Sequence, residues 1–385
     1  MSDLGIICEM NPLHKGHEYL LREARRLGAD RIVCVMSGNT VQRGEFAVTD
    51  AYVRAEALLR CGADLVLELP FPYCAASAEK FAAGGIAILR QMCDTVIFGS
   101  ECGDIDRLRR SAELSVSADF RRRYREALAE GEPAVAAYDR LLTEGGVGGL
   151  ASNDRLGVEY LRAIMEQGAD LRVQTVLRRG AAYGQEKLND EEYPSAMAIR
   201  RLWRQGRYEE ADRLLPEEAA RVYAEARREG LMFDGNVLSA AIVSFFRLRE
   251  GRDCEGILGA GGGLANRLCR AAREARCVDE LLALVRTKRY TDSHLRRVML
   301  YCLAGVRAED MEAMPAYTTL LAANERGRAL LAERRRADGV TVVTKPADAP
   351  ADTRQYALTA RMDALVTLAQ GRGADAFLKS RPYME

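Results

Sequence analysis

The stretch Asn11-Pro12-Leu13-His14-Lys15-Gly16-His17 decides how the chain is read. It follows the short apolar run Gly5-Ile6-Ile7-Cys8 and precedes an amphipathic segment, so strand, turn and helix succeed one another. The 385-residue chain has three histidines, and two of them stand here in the pattern H-x-G-H. Residues three apart share one helix face, so His14 and His17 can address the same object. A helix start offers free N–H groups and the positive end of its dipole, which suits phosphate. Gly16 has no Cβ and lets a nucleotide approach the backbone. Pro12 fixes the entry into the turn and brings no N–H that needs a partner. Two imidazoles beside an α-phosphate can stabilise the charge that develops as pyrophosphate leaves. The competing readings are a histidine pair on an exposed helix start and half of a zinc site. No nearby cysteine or acidic pair completes a zinc ligand set, and no resident metal is expected.

Outward from this stretch a phrase recurs: a helix stop, a turn, then a buried strand. Leu27-Gly28-Ala29-Asp30 precedes Arg31–Met36, Cys61-Gly62-Ala63-Asp64 precedes Leu65–Leu69, Gln91-Met92-Cys93-Asp94 precedes Thr95–Phe98, and Gln167-Gly168-Ala169-Asp170 precedes Leu171–Val176. With the first strand this predicts about five strands alternating with helices, a Rossmann-like α/β fold with a parallel sheet covered on both faces. Ligands of such sheets bind at the carboxyl edge of the strands, where His14, Ser37 to Gln42, Pro70, Gly99 and Arg178 fall. A charged helical insertion is expected at about 101–149, carrying Phe120-Arg121-Arg122-Arg123-Tyr124-Arg125. From about Arg207 strand signals nearly vanish, apart from a short one at Val340 to Thr344. The expected division is therefore a catalytic domain at 1–206 and a mostly α-helical C-terminal domain at 207–385.

No apolar run is long enough to span a bilayer, and the start reads as a strand rather than a signal segment, so a cytoplasmic protein with no membrane partner is expected. Ten cysteines without CxxC pairs read as small buried hydrophobes in a reducing compartment. The formal net charge is zero, which gives no global argument for nucleic-acid binding. The oligomeric state is not legible.

Further chemistry is scattered along the chain. Ser195, in Pro194-Ser195-Ala196-Met197-Ala198-Ile199-Arg200, is a candidate N-cap with spare hydroxyl capacity, and Arg200 can grip phosphate oxygens with its fork. Asn153, in Ser152-Asn153-Asp154-Arg155-Leu156-Gly157, either caps a helix or hydrogen-bonds a nucleotide. Arg178 or Arg179, at the end of the fifth strand, faces the same pocket. Gly99 ends the fourth strand and permits close approach. An RNA surface would need local basic residues. Candidates are Arg121, Arg122, Arg123 and Arg125 in the insertion, and, preferred, Arg286, Lys288, Arg289, Arg296 and Arg297, because these alternate with Tyr290 and His294, which can stack on bases. The group best suited to a test is Lys288, Arg289, Arg296 and Arg297.

The first stretch resembles the HxGH signature of the nucleotidyltransferase and class I aminoacyl-tRNA synthetase superfamily, and the Ser195–Arg200 helix start resembles that superfamily's second signature. Both imply adenylyl chemistry on ATP. Read together, CEMNPLHKGH, VQRGEFAV, GADLVLELP, SAEKFA, FGSE, SNDRLGVEYL, RRGAAY, SAMAIR, GLANRL and NERGRALL are similar to the bacterial tRNA(Met) cytidine acetate ligase family over nearly the whole chain. The resemblance implies that acetate is activated with ATP as acetyl-adenylate and passed to N4 of the wobble cytidine of elongator tRNA(Met), giving N4-acetylcytidine. It places ATP on Ile7, Cys8, Glu9, Asn11, Pro12, His14, Gly16, His17 and Leu20, and on Gly99, Asn153 and Arg178. The Mg²⁺ that pyrophosphate departure calls for is expected to arrive with ATP. Two positions depart from the family pattern: Met10, where an aromatic residue is usual, and Asp50-Ala51, where a more basic pair is expected. The acetate pocket announces itself in no residue. Rival readings are another HxGH adenylyltransferase or an acetate:thiol ligase, and a non-catalytic RNA-binding module.

Overall fold

The computed structural model describes residues 2–179, 195–287, 290–334 and 339–385. In chain order the first part runs β1 (Asp3–Cys8), α1 (Lys15–Arg26), β2 (Arg31–Ser37), β3 (Thr40–Val41), β4 (Glu45–Phe46), α2 (Ala51–Arg60), β5 (Leu65–Leu69), α3 (Ala78–Leu89) and β6 (Thr95–Ser100). The insertion forms α4 (Ile105–Val116), α5 (Ala118–Ala129) and α6 (Ala134–Glu144), followed by α7 (Ser152–Glu166), β7 (Arg172–Leu177) and α8 (Ala196–Arg204). Beyond it lie α9 (Tyr208–Asp212), α10 (Glu217–Arg228), α11 (Gly235–Arg247), α12 (Leu264–Ala272), α13 (Val278–Val285), α14 (Asp292–Ala304), β8 (Tyr317–Ala323), α15 (Glu325–Arg334), β9 (Thr341–Val343), α16 (Arg354–Ala369) and β10 (Tyr383–Met384).

The five expected strands form one parallel run in the order β5-β2-β1-β6-β7. In β5, β2, β1 and β6 the largely apolar composition follows from burial on both faces: Ile7, Val33, Val35, Leu65 and Leu67 enter one core, while Ile6, Ile32, Cys34, Met36 and Val66 enter the other; β7, at the end of the run, is mostly exposed. The chain leaves β1 toward β2 on one side and reaches β6 on the other, so the crevice between the carboxyl ends of β1 and β6 is the topological switch point.

The region after Arg207 is mostly helical, with two strands among the described residues beyond the expected one at Val340 to Thr344: β8 and the short β10. Tyr317–Ala323, buried at all seven positions, lies antiparallel to β5 and carries β10 and β9 as parallel neighbours. Its sequence ends Leu-Leu-Ala-Ala and runs into the strongly helical Glu325–Arg334, so local propensity reads as helix while burial in the sheet makes it a strand. No described helix is long and apolar enough to cross a membrane.

Candidate active site

β1 ends at Cys8, and the chain then reverses sharply. Met10 adopts φ 49°, in the left-handed region that side chains seldom enter, and is 1 % exposed. This turn brings Asn11 to His14 back over the strand edge. Its geometry is held from several sides: Asn11 Oδ1 accepts from the Val48 N–H at 2.9 Å, and the Leu13 N–H donates to the Tyr223 hydroxyl at 3.1 Å.

His14 is the N-cap of α1, and the two histidines cap that helix reciprocally. The Gly16 N–H donates to His14 Nδ1 at 3.1 Å, and the His14 N–H donates to His17 Nδ1 at 3.2 Å. The ring centroids are 3.9 Å apart. Burial, with His17 and the positive charges of Arg178 and Arg200 nearby, holds His14 well below the usual imidazole range. Burial and Arg178 bring His17 down to about 3. Both rings are therefore neutral near pH 7. A neutral ring whose Nδ1 accepts a backbone N–H carries its proton on Nε2. The capping hydrogen bonds thus leave two Nε2–H donors at a helix N-terminus.

Two arginines complete the cationic surround. Arg178 is exposed, and a Cβ on Gly99 would stand 3.1 Å from its Cγ, so glycine at this strand end gives Arg178 its room. Arg200 donates to the Asn11 carbonyl at 2.6 Å and lies 3.9 Å from the Glu45 carboxylate. Ser195 caps α8 by accepting from the Ala198 N–H at 3.2 Å, and so orients the helix that carries Arg200. Glu9 accepts from the Gln42 N–H at 2.7 Å; burial raises its carboxyl above the usual range, against the pull of Arg200 and Arg43.

The other expected residues divide. Ile7 and Cys8 are strand residues buried in the two cores, and the buried Pro12 and half-buried Leu20 flank the turn and the helix. Asn153 stands inside the first turn of α7, whose N-cap is Ala151. Its side chain donates to Glu101 at 2.5 Å, and Glu101 also receives the Asn153 and Asp154 N–H groups. Arg178 and Arg179 lie in different surroundings: the charge of Arg178 helps hold both histidines below their usual range, while Arg179 lies 4.9 Å over the Tyr19 ring. Asp50 points into the fold, capping α2 at the Val53 N–H and accepting from Gln370, which accounts for an acid at that position.

Of the residues singled out for RNA, Lys288 and Arg289 lie outside the described residues. Arg296 pairs with Asp279 at 3.0 Å and with Glu45 at 3.6 Å; Arg297 donates to the Gln42 carbonyl at 3.2 Å. Both therefore face the β3–β4 hairpin beside the strand edge. Gly44, at φ 75°, packs against the Arg296–Arg297 backbone where any Cβ would collide. Tyr290 and His294 stack on each other, 5.0 Å between centroids. In the insertion, Arg121 is paired with Glu166, Arg122 with Asp119 and Glu126, and Arg123 with Glu144. Sequence reading placed Gln42 only generally at the strand edge and gave no role to Glu101, Glu45 or Tyr223. Each acts across a long chain separation, and no local pattern signals it.

A glycine-containing helix start, two Nε2–H donors and two arginines at a switch point have the chemistry to receive phosphate groups. The sequence model of the HIGH Nucleotidyl Transferase family matches residues 1–377. The tRNA(Met) cytidine acetate ligase of Caldanaerobacter subterraneus subsp. tengcongensis is 33% identical, covering 90% of this chain and 89% of its own length. That of Syntrophotalea carbinolica is 35% identical, over 89% and 85%. Two crystal structures of Thermotoga maritima TmcAL are similar throughout: the apo form I at TM-score 0.91 and 31% identity, and the form II bound with alpha-thio ATP at 0.88 and 30%, each covering 100% of this chain and 99% of that one. The chain belongs to the HIGH nucleotidyltransferase family and, within it, to the tRNA(Met) cytidine acetate ligase family; it is an ATP-binding ligase.

Proposed function

We propose that this ligase activates acetate with ATP and acetylates N4 of the wobble cytidine in elongator tRNA(Met). In the first step an acetate oxygen attacks the α-phosphorus. A P–O bond forms, the bond to the β-phosphate oxygen breaks, and pyrophosphate leaves. In the second step the cytidine amine attacks the acetyl carbonyl, a C–N bond forms, AMP departs with the C–O electron pair, and the amine proton passes to solvent.

The observation that carries this reading is the pair of neutral imidazoles with both Nδ1 atoms engaged. Two Nε2–H donors fixed by backbone can stabilise the charge that grows on the α- and β-phosphate oxygens without reorganising. Arg178 and Arg200 stand ready for the outer phosphates. Among the described residues no group of three His, Cys, Asp or Glu side chains could hold a metal ion, and Glu9 is raised toward its neutral form, so Mg²⁺ would be held by the phosphates of ATP and neutralise the departing pyrophosphate.

In this reading residues 1–206 perform the nucleotidyl step and the largely helical 207–385 receive the RNA, with Lys288, Arg289, Arg296 and Arg297 as candidate contacts. The enzyme would work in the cytoplasm, where its tRNA resides. Incubation with ATP, labelled acetate and tRNA(Met) tests it. The expected result is label on cytidine N4 in amount equal to the pyrophosphate released. Label passing instead to a thiol, or no acetate-dependent pyrophosphate at all, would favour one of the rival readings.

A further inference from the structure

Arg54 has no exposed surface, the largest side chain so enclosed, and no carboxylate forms an ion pair with it among the described residues. Its guanidinium meets backbone carbonyls alone: Glu9 at 2.6 Å, Ser37 at 3.1 Å and Thr49 at 3.2 Å, with Gly38 as a fourth partner. Burial lowers its pKa, offset only by more distant groups such as Tyr223 and Asp50. Glu68 and Asp50 act on it only at longer range, and a buried cation without a directly paired carboxylate is costly, so its place in the fold shows what it accomplishes.

β1 and β2 pair in register as far as Cys8 and Met36, and then diverge around the site. Beyond that point Glu9, Ser37 and Gly38 have no partner across the β1–β2 seam, although Ser37 still pairs with Leu69 of β5 on the other side. The planar, five-donor fork of arginine bridges the opened β1–β2 seam, which no other side chain can do at several carbonyls at once. One of those carbonyls, Glu9, immediately precedes Met10 and the turn that delivers His14. The same clasp reaches the rest of the site: Asn39 accepts from the Ala47 and Ala51 N–H groups, Asn11 holds Val48, and Arg200 grips the Asn11 carbonyl.

We propose that Arg54 is a positioning residue for nucleotidyl transfer, fixing the Glu9–Asn11 turn and through it the two imidazoles. It touches no substrate. The inference rests on the adenylylation reading above for its kinetic consequence, but not for its geometric one.

The test uses the full-length protein with Arg54→Lys, Arg54→Met and Arg54→Ala. A displacement of about 1 Å at a reacting group costs about 100-fold, so kcat for acetate-dependent pyrophosphate release should fall by about that factor in Arg54→Met while KM for ATP stays within about threefold. Lysine offers its donors at a single point and should recover only part of the loss. Guanidinium ion added to Arg54→Ala should restore turnover, whereas neutral urea of the same shape should not. With only three histidines in the chain, ¹⁵N-histidine spectra report imidazole placement directly, whatever the acyl substrate is. His14 and His17 signals should move in Arg54→Lys while His294 stays. If Arg54→Met does not fold, the lysine variant and the guanidinium rescue carry the test. Unchanged kcat with unmoved histidine signals in Arg54→Lys overturns the proposal, as does kcat lost with those signals unmoved. A wild type without acetate-dependent pyrophosphate release would defeat the functional reading and leave the spectroscopic test of Arg54 standing.

Discussion

Two groups of arginines carry the same formal charge and do opposite things. In the insertion, Arg121, Arg122 and Arg140 lie 2.6 to 2.9 Å from acidic partners on the same or neighbouring helices. They are exposed, neutralised in place, and form the sort of surface pairs that contribute little. At the strand edge, Arg178 has no carboxylate in ion-pair reach among the described residues, and the nearest to Arg200 is Glu45 at 3.9 Å. In a chain of zero net charge the distribution of partners, not the number of cations, distinguishes the two groups, and under the proposed function the strand-edge pair is the one available to an anion.

The largest effect should come from the histidines that these arginines surround. Alanine at His14 or His17 should lower acetate-dependent pyrophosphate release by about 100- to 1000-fold, the loss seen when one fixed donor to a developing oxyanion is removed. Asparagine at His17 keeps some donor capacity and should lose less. Equal losses in the asparagine and alanine variants would argue against a donor role.

Arg200→Ala should come next, raising KM for ATP roughly 10- to 100-fold, as expected for a charge-assisted hydrogen bond. Reversing Lys288, Arg289 and Arg296 to glutamate should leave tRNA-independent pyrophosphate release intact while weakening tRNA binding. The salt dependence should flatten by about 0.7 in log–log slope for each single-strand phosphate that is no longer neutralised. Arg122→Ala, by contrast, should change turnover and tRNA affinity by less than about twofold, since it removes an exposed, self-neutralised pair. A large effect of Arg122→Ala, or none of Arg200→Ala, would dissolve the distinction between the two groups.

The depressed histidines also leave a signature in stability. His17, lowered to about 3 in the fold, binds fewer protons there than in the unfolded chain between about pH 6.5 and 3. Its contribution is complete above about 6.5 and is lost as pH falls through that window. The melting temperature of wild type should therefore fall more steeply than that of His17→Asn between pH 6.5 and 4. Parallel curves would show that His17 is not held neutral.

The difference between the two arginine groups also explains what sequence could show. The parallel strands were legible because four of the five follow a helix stop and a turn and most are largely apolar runs, and the histidine pair because it lies within seven residues. β8 was not, because its residues favour helix until the sheet buries them. The arginines proposed for the phosphates were only half legible. Arg200 stood at a recognisable helix start, but Arg178 separates from Arg179 only once Gly99 is seen beneath it and Tyr19 beneath its neighbour. Arg54 gave no signal at all: its carbonyl partners are generic backbone, brought together from three separate turns.

The most direct test of the account is exchange of labelled pyrophosphate into ATP by the purified enzyme without tRNA, with and without acetate. Exchange that requires acetate in the wild type, and falls to background in the His14→Ala, His17→Ala double variant with the fold intact, is the predicted result. Exchange that persists in the double variant, or that proceeds equally without acetate, would contradict the claim that this histidine pair drives acetate adenylylation.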